Sequence, residues 1–116
     1  MPSAEEAGAA VQRALLACMG PGAAEALALA QARLAWQETV ADAGLARGGL
    51  SSRLVGVSDG TARVEATEAI LAQELTLRAE ALTHAVNKRM RGRPGATIVL
   101  RELAISVGRG RMDRSL

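Results

Sequence analysis

A small α+β fold with the element order α-α-β-β-α-β is predicted by three features of this chain. Large apolar residues recur at helical spacing up to Ala46 and again from Glu68 to Met90, the pattern turns to alternation on either side of Asp59-Gly60, and a last segment is rich in Ile, Val and Leu. The length of 116 residues suits one modest core and is too short for two ordinary domains. A single domain is therefore expected over residues 1–107, followed by a basic tail, residues 108–116, expected to be disordered and to touch phosphates nonspecifically.

The first helix is read from Ser3 to Met19. Ser3 and Glu6 have capping-box spacing, and Val11, Leu15, Leu16 and Met19 supply the apolar line. Gly20-Pro21-Gly22 ends it and sets up a second helix from Ala23 to about Ala46, closing at Gly48-Gly49. The large apolar residues of that helix fall on two lines, Leu27, Leu34 and Leu45 on one and Leu29, Trp36 and Val40 on the other. Alanines between them allow close packing on both sides. Trp36, the only aromatic residue, is read as a core residue or as an interface anchor.

A two-residue turn at Asp59-Gly60 would set Val57 opposite Ala62, Val55 opposite Val64 and Arg53 opposite Ala66. Asp-Gly favours such a turn because both central positions need positive φ. Glu68 to Met90 then reads as one long helix with an apolar stripe of Leu71, Leu75, Ala79, Leu82, Val86 and Met90, and with Glu74 four residues before Arg78 for an ion pair. The third strand is expected from Thr97 to Val107.

Charge is polarised along the chain. Up to Leu77, five Arg face nine acids, a balance of −4; from Arg78 on, nine Lys plus Arg face three acids, a balance of +6. Such asymmetry commonly accompanies a polyanion or an acidic partner. Lys88, Arg89 and Arg91 also complement the negative pole of the long helix, whereas Arg93 and Arg101 exceed that need. A solvated surface is the plainer alternative.

Catalytic and metal chemistry find little support. One cysteine, Cys18, and one histidine, His84, do not make a zinc set. Ser51 and Ser52 lack a nucleophile-elbow setting, and neither a Walker A loop nor a Rossmann fingerprint occurs. No enzyme, cofactor or metal is expected. No 18-residue apolar run and no signal-type N-terminus is visible, so the chain reads as cytoplasmic and not membrane-bound. Gly92-Arg93-Pro94-Gly95 has the GxxG form with which KH domains clamp a nucleic-acid backbone. In KH domains that loop joins two helices; here it is expected to join a helix to a strand, and Pro94 removes a backbone donor, so an ordinary connection is the favoured reading and a KH clamp the alternative.

The ordered residues resemble the DciA-type proteins of bacteria over roughly Leu34 to Leu103. The likeness rests on Trp36 with Val40, Leu54 with Asp59-Gly60, Val64 with Ala66, Ala72 with Glu74-Leu75, then Leu82, Val86, Asn87 and Gly92, and finally Ile98, Leu100 and Arg101. Ala41 stands where the family tends to have Gly, and Ile70-Leu71 where it often has an aromatic residue. The resemblance implies a KH-like α+β fold and a non-enzymatic role in loading or operating the replicative helicase, with weak, sequence-independent DNA binding. On that reading Lys88, Arg89, Arg91, Arg93 and Arg101 hold DNA, while a surface near Trp36 or near Ile70 and Leu71 engages the helicase. An RNA-binding KH-like module and a structural adaptor are the rivals, and weak self-association through the alanine-rich helices is left open beside tight intramolecular packing.

Overall fold

A computed structural model describes residues 22–108; the first helix, with Cys18, and the tail from Arg109 lie outside the described residues. The described elements are α1 (Ala23–Asp42), β1 (Ser52–Ser58), β2 (Thr61–Ala66), α2 (Ala69–Leu77), α3 (Ala79–Met90) and β3 (Glu102–Val107). The strands form one mixed sheet in the order β1-β2-β3, with β1 and β2 antiparallel and β2 and β3 parallel. All three helices pack on the same face, which makes a two-layer α+β fold.

α1 stops at Asp42, earlier than the glycine pair at 48–49 suggests. Gly44, at φ 74, donates to Ala41 O at 3.1 Å and Leu45 donates to Val40 O at 2.9 Å. These two bonds are the Schellman ending, in which a left-handed residue closes the helix and the next apolar side chain folds back on it. Leu45 is accordingly buried just beyond the helix. Of the two expected apolar lines of α1, the Leu29, Trp36 and Val40 line is turned to the core and the line through Leu34 is not. Ala28, Ala32, Ala35, Trp36, Thr39 and Val40 are buried, whereas Leu34 is 51 % exposed. Alanines bring the α1 backbone close to α3 and β1, and the one large ring fills the centre of the contact.

The hairpin turns at Asp59 (φ 52) and Gly60 (φ 80), the conformation the Asp-Gly pair predicts. Val57 pairs with Ala62 as expected, but a bulge at Val55 then shifts the register, so that Leu54 meets Val64 and Ser52 meets Ala66. One extra residue moves each later side chain to the opposite face. Leu54 and Ser52 turn inward, and Arg53 turns to solvent opposite Glu65, with which it forms a 3.0 Å ion pair. The shift satisfies a buried donor, because it places Ser52 Oγ 3.0 Å from Trp36 Nε1.

The expected long helix is two helices joined at Arg78, whose backbone (φ −106, ψ 11) leaves helical geometry. A straight helix from Ala69 to Met90 would run ~33 Å at ~1.5 Å per residue. The strands beneath it, six or seven residues long, cover only ~20 Å at ~3.3 Å per residue. Bending lets α2 lie on β2 and β3 while α3 turns to pack along α1. Thr76 Oγ1 donates to Ala72 O at 2.8 Å just before the joint, a back-bond that favours bending. The Leu71, Leu75, Leu82, Val86 and Met90 stripe is buried across both helices, and the Glu74–Arg78 ion pair forms at 3.4 Å.

β3 begins at Glu102, later than the apolar run from Thr97 suggests. Leu100 is buried but pairs with a side chain instead of a strand. Asn87 Nδ2 donates to Leu100 O, and Leu100 N donates to Asn87 Oδ1, both at 2.8 Å. One primary amide thus takes the place of a neighbouring peptide group and holds residues 97–101 against α3.

Candidate functional site

The buried side of α3 carries Leu82, Thr83, Val86 and Met90. The opposite side carries His84 and Lys88, one turn apart and exposed, and Arg91 is exposed at the residue that ends the helix. Arg89 lies on the flank facing α1. Its guanidinium pairs with Asp42 and, at 3.6 Å, with Glu38. Arg93, in the loop after α3, pairs with the same Glu38. Arg101 donates to Asp59 O at 2.6 Å and lies across Gly60, bracing the hairpin turn against the segment that enters β3.

The five cations expected to form one surface therefore do not. Of the five, Arg89 and Arg93 are neutralised by acids of α1, Arg101 is exposed but held at a turn carbonyl, and Lys88 and Arg91 are exposed with neither an ion pair nor a side-chain hydrogen bond among the described residues. The cause is the packing of α1 on α3, which folds acids from the negative half of the chain onto cations of the positive half. Gly92-Arg93-Pro94-Gly95 is the connection from α3 to β3. It joins a helix to a strand, as the ordinary-connection reading has it, and the helix-to-helix joint lies at Arg78, where there is no glycine.

Of the expected partner-contacting residues, Trp36 is fully buried and bonded to Ser52, and Leu71 is 2 % exposed. Neither offers surface while the domain stays folded, because both are needed to fill the core between helices and sheet. Ile70, by contrast, is 68 % exposed, and Leu77, seven residues on and on the same face of α2, is 74 % exposed. Leu77 is not among the residues expected to contact a partner. The signal was present: at 100° per residue Ile70 and Leu77 lie about 130° from the Leu71–Leu75 line.

An open groove runs between α3 and the start of β3, lined by Glu80, Thr83, His84, Asn87, Arg101 and Glu102. Glu80 is one turn before His84, so an acid and an imidazole share this groove, and the hydroxyl of Thr83 is engaged with Ala79 O at 2.7 Å. Among the described residues no group of three or more His, Cys, Asp or Glu side chains could hold a metal ion, and no helix is long and apolar enough to cross a membrane. A second groove, between the start of α1, the hairpin tip and residues 97–99, mixes apolar walls of Leu29, Val57 and Ile98 with Glu25, Asp59 and Thr97. No family model, curated protein or solved structure matches the chain.

Proposed function

We propose that the chain is a non-enzymatic DNA-replication accessory protein that binds the replicative helicase, assists its loading on DNA and touches DNA weakly without reading sequence. The observation that carries the protein-binding part is the exposure of Ile70 and Leu77 on one outward face of α2, in a domain whose other large aliphatic side chains mostly face inward. Two large apolar side chains a heptad apart, on a helix already anchored to a sheet by Leu71 and Leu75, suit docking against a partner's apolar groove. The choice of partner rests on the resemblance to the DciA-type proteins, carried by the run of residues from Trp36 to Arg101. DNA contact falls to Lys88 and Arg91, because their neighbours Arg89 and Arg93 are already engaged.

The test is capture of the purified replicative helicase by the immobilised chain and by an Ile70→Asp, Leu77→Asp variant. Capture that the variant loses while keeping its circular dichroism spectrum supports the assignment; capture by neither overturns it. The rival structural adaptor is favoured by one observation, the cancellation of Arg89 and Arg93 by Glu38 and Asp42. It predicts no retention of DNA or RNA at low salt, whereas an RNA-binding module would retain single-stranded RNA in preference to DNA.

A further inference from the structure

The two edges of the sheet are treated differently. Along β1, side chains of α1 close the free edge: Arg33 Nε donates to Leu54 O at 3.2 Å, Arg33 Nη2 to Val55 O at 3.0 Å, and Gln37 Nε2 to Ser52 O at 2.9 Å. The Val55 bulge distorts the same edge. These are recognised means of preventing strand addition.

β3 has none of them. It carries no Lys and no Pro, its pairing with β2 runs without a bulge, and its only charged residue is Glu102 at the start. The orientation of its backbone follows from the bonds at its two ends. Glu102 N donates to Gly60 O at 3.3 Å and Gly108 N donates to Ala66 O at 2.8 Å. In a regular strand alternate residues face the same neighbour, so the even-numbered peptide groups face β2 and those of Leu103, Ile105 and Val107 face outward. Among the described residues nothing is bonded to those outward groups. Val107 is 40 % exposed, and Ala104 and Ser106 are exposed on the open face.

We infer that β3 is a self-association edge, through which two copies of this chain pair antiparallel about a two-fold axis to extend the three-stranded sheet to six strands. A second copy fits this edge better than it fits any other part of the sheet. Because β1 is closed, the strand a second copy can present is its own β3, and pairing stops at two copies instead of growing into a fibre. The strand is also self-complementary. With Ile105 opposite Ile105 of the second copy, Leu103 meets Val107, so the outward peptide groups all find partners and three apolar positions per chain align on the helix-covered face. Glu102 meets the neutral Gly108 of the second copy, so like charges are never opposed. Ile70 and Leu77 belong to α2 and not to β3, and the inference does not rest on the proposed function.

Sedimentation equilibrium of the full chain over a wide dilution series, combined with amide hydrogen exchange at each concentration, tests it. A monomer–dimer equilibrium is expected, in which the amides of Leu103, Ile105 and Val107 exchange slowly in the dimer and quickly on dilution, while those of Ala104 and Ser106 stay protected throughout. A single-chain mass at the highest concentration overturns the inference, and so does a dimer in which those three amides still exchange freely. Val107→Pro removes an outward N–H without touching a bond to β2 and should leave a monomer, whereas Val107→Ala should still dimerise; a Val107→Pro chain that remains dimeric also overturns it. The exchange pattern of the unsubstituted chain decides the question even if the proline variant does not fold.

Discussion

Replacing Asn87 by Ala removes a side chain that both donates to and accepts from the backbone of one residue, Leu100. The structure sets the size of the effect. Two hydrogen bonds of 2.8 Å to Leu100 are lost, each worth about 1 kcal/mol net, with a further cost because Leu100 is buried and its N–H and C=O lack ready access to water. The sum is about 2–3 kcal/mol, which for a domain of this size lowers the thermal midpoint by roughly 10–20 °C. Asn87→Asp should cost at least as much, since it keeps the acceptor for Leu100 N–H but sets a carboxylate oxygen against Leu100 O. Urea titration followed by circular dichroism measures the loss, and exchange of the Leu100 amide localises it. A loss below about 0.5 kcal/mol for Asn87→Ala, with Leu100 still protected, would refute the account of how residues 97–101 are held.

Trp36→Phe keeps most of the ring volume but leaves Ser52 Oγ without its donor, and should cost about 1–2 kcal/mol in a urea titration with an unchanged m-value. Gly60→Ala combines a φ of 80 with a Cβ only 2.5 Å from Arg101 Nε, and a loss of about 1–3 kcal/mol by thermal denaturation is expected. The two classes of cation should separate cleanly. Arg89→Glu faces Glu38 and Asp42 and should lower stability by about 1 kcal/mol, whereas Lys88→Glu with Arg91→Glu should leave the melting curve in place and abolish DNA retention at low salt. For the unsubstituted chain, two phosphate contacts predict a slope of about −2 in log K against log salt on duplex DNA, where a five-residue surface would give a slope beyond −4; fluorescence anisotropy with labelled duplex reads the difference.

The sequence by itself determined the fold class, the position of the hairpin turn and the identity of most core residues of α2 and α3. Each of these depends on neighbours in the chain: positive φ at Asp59-Gly60, and helical spacing from Leu71 to Met90. It also contained Ile70 and Leu77, off the apolar line and exposed together. Tertiary structure decided the rest, because the rest consists of contacts between distant residues. Which face of α1 is buried depends on how near α3 and β1 can come, and alanines permit an approach that the leucines of the opposite line would prevent. Trp36 finds its acceptor sixteen residues away in the chain, across a register that the Val55 bulge sets. The helix from Glu68 breaks at Arg78 because the sheet beneath it is too short for one straight rod. The run of charge along the chain, which suggested a single basic pole, is folded back on itself by α1. Glu38 and Asp42 reach Arg89 and Arg93 across more than forty positions, since Coulomb attraction follows distance in space and not separation in sequence.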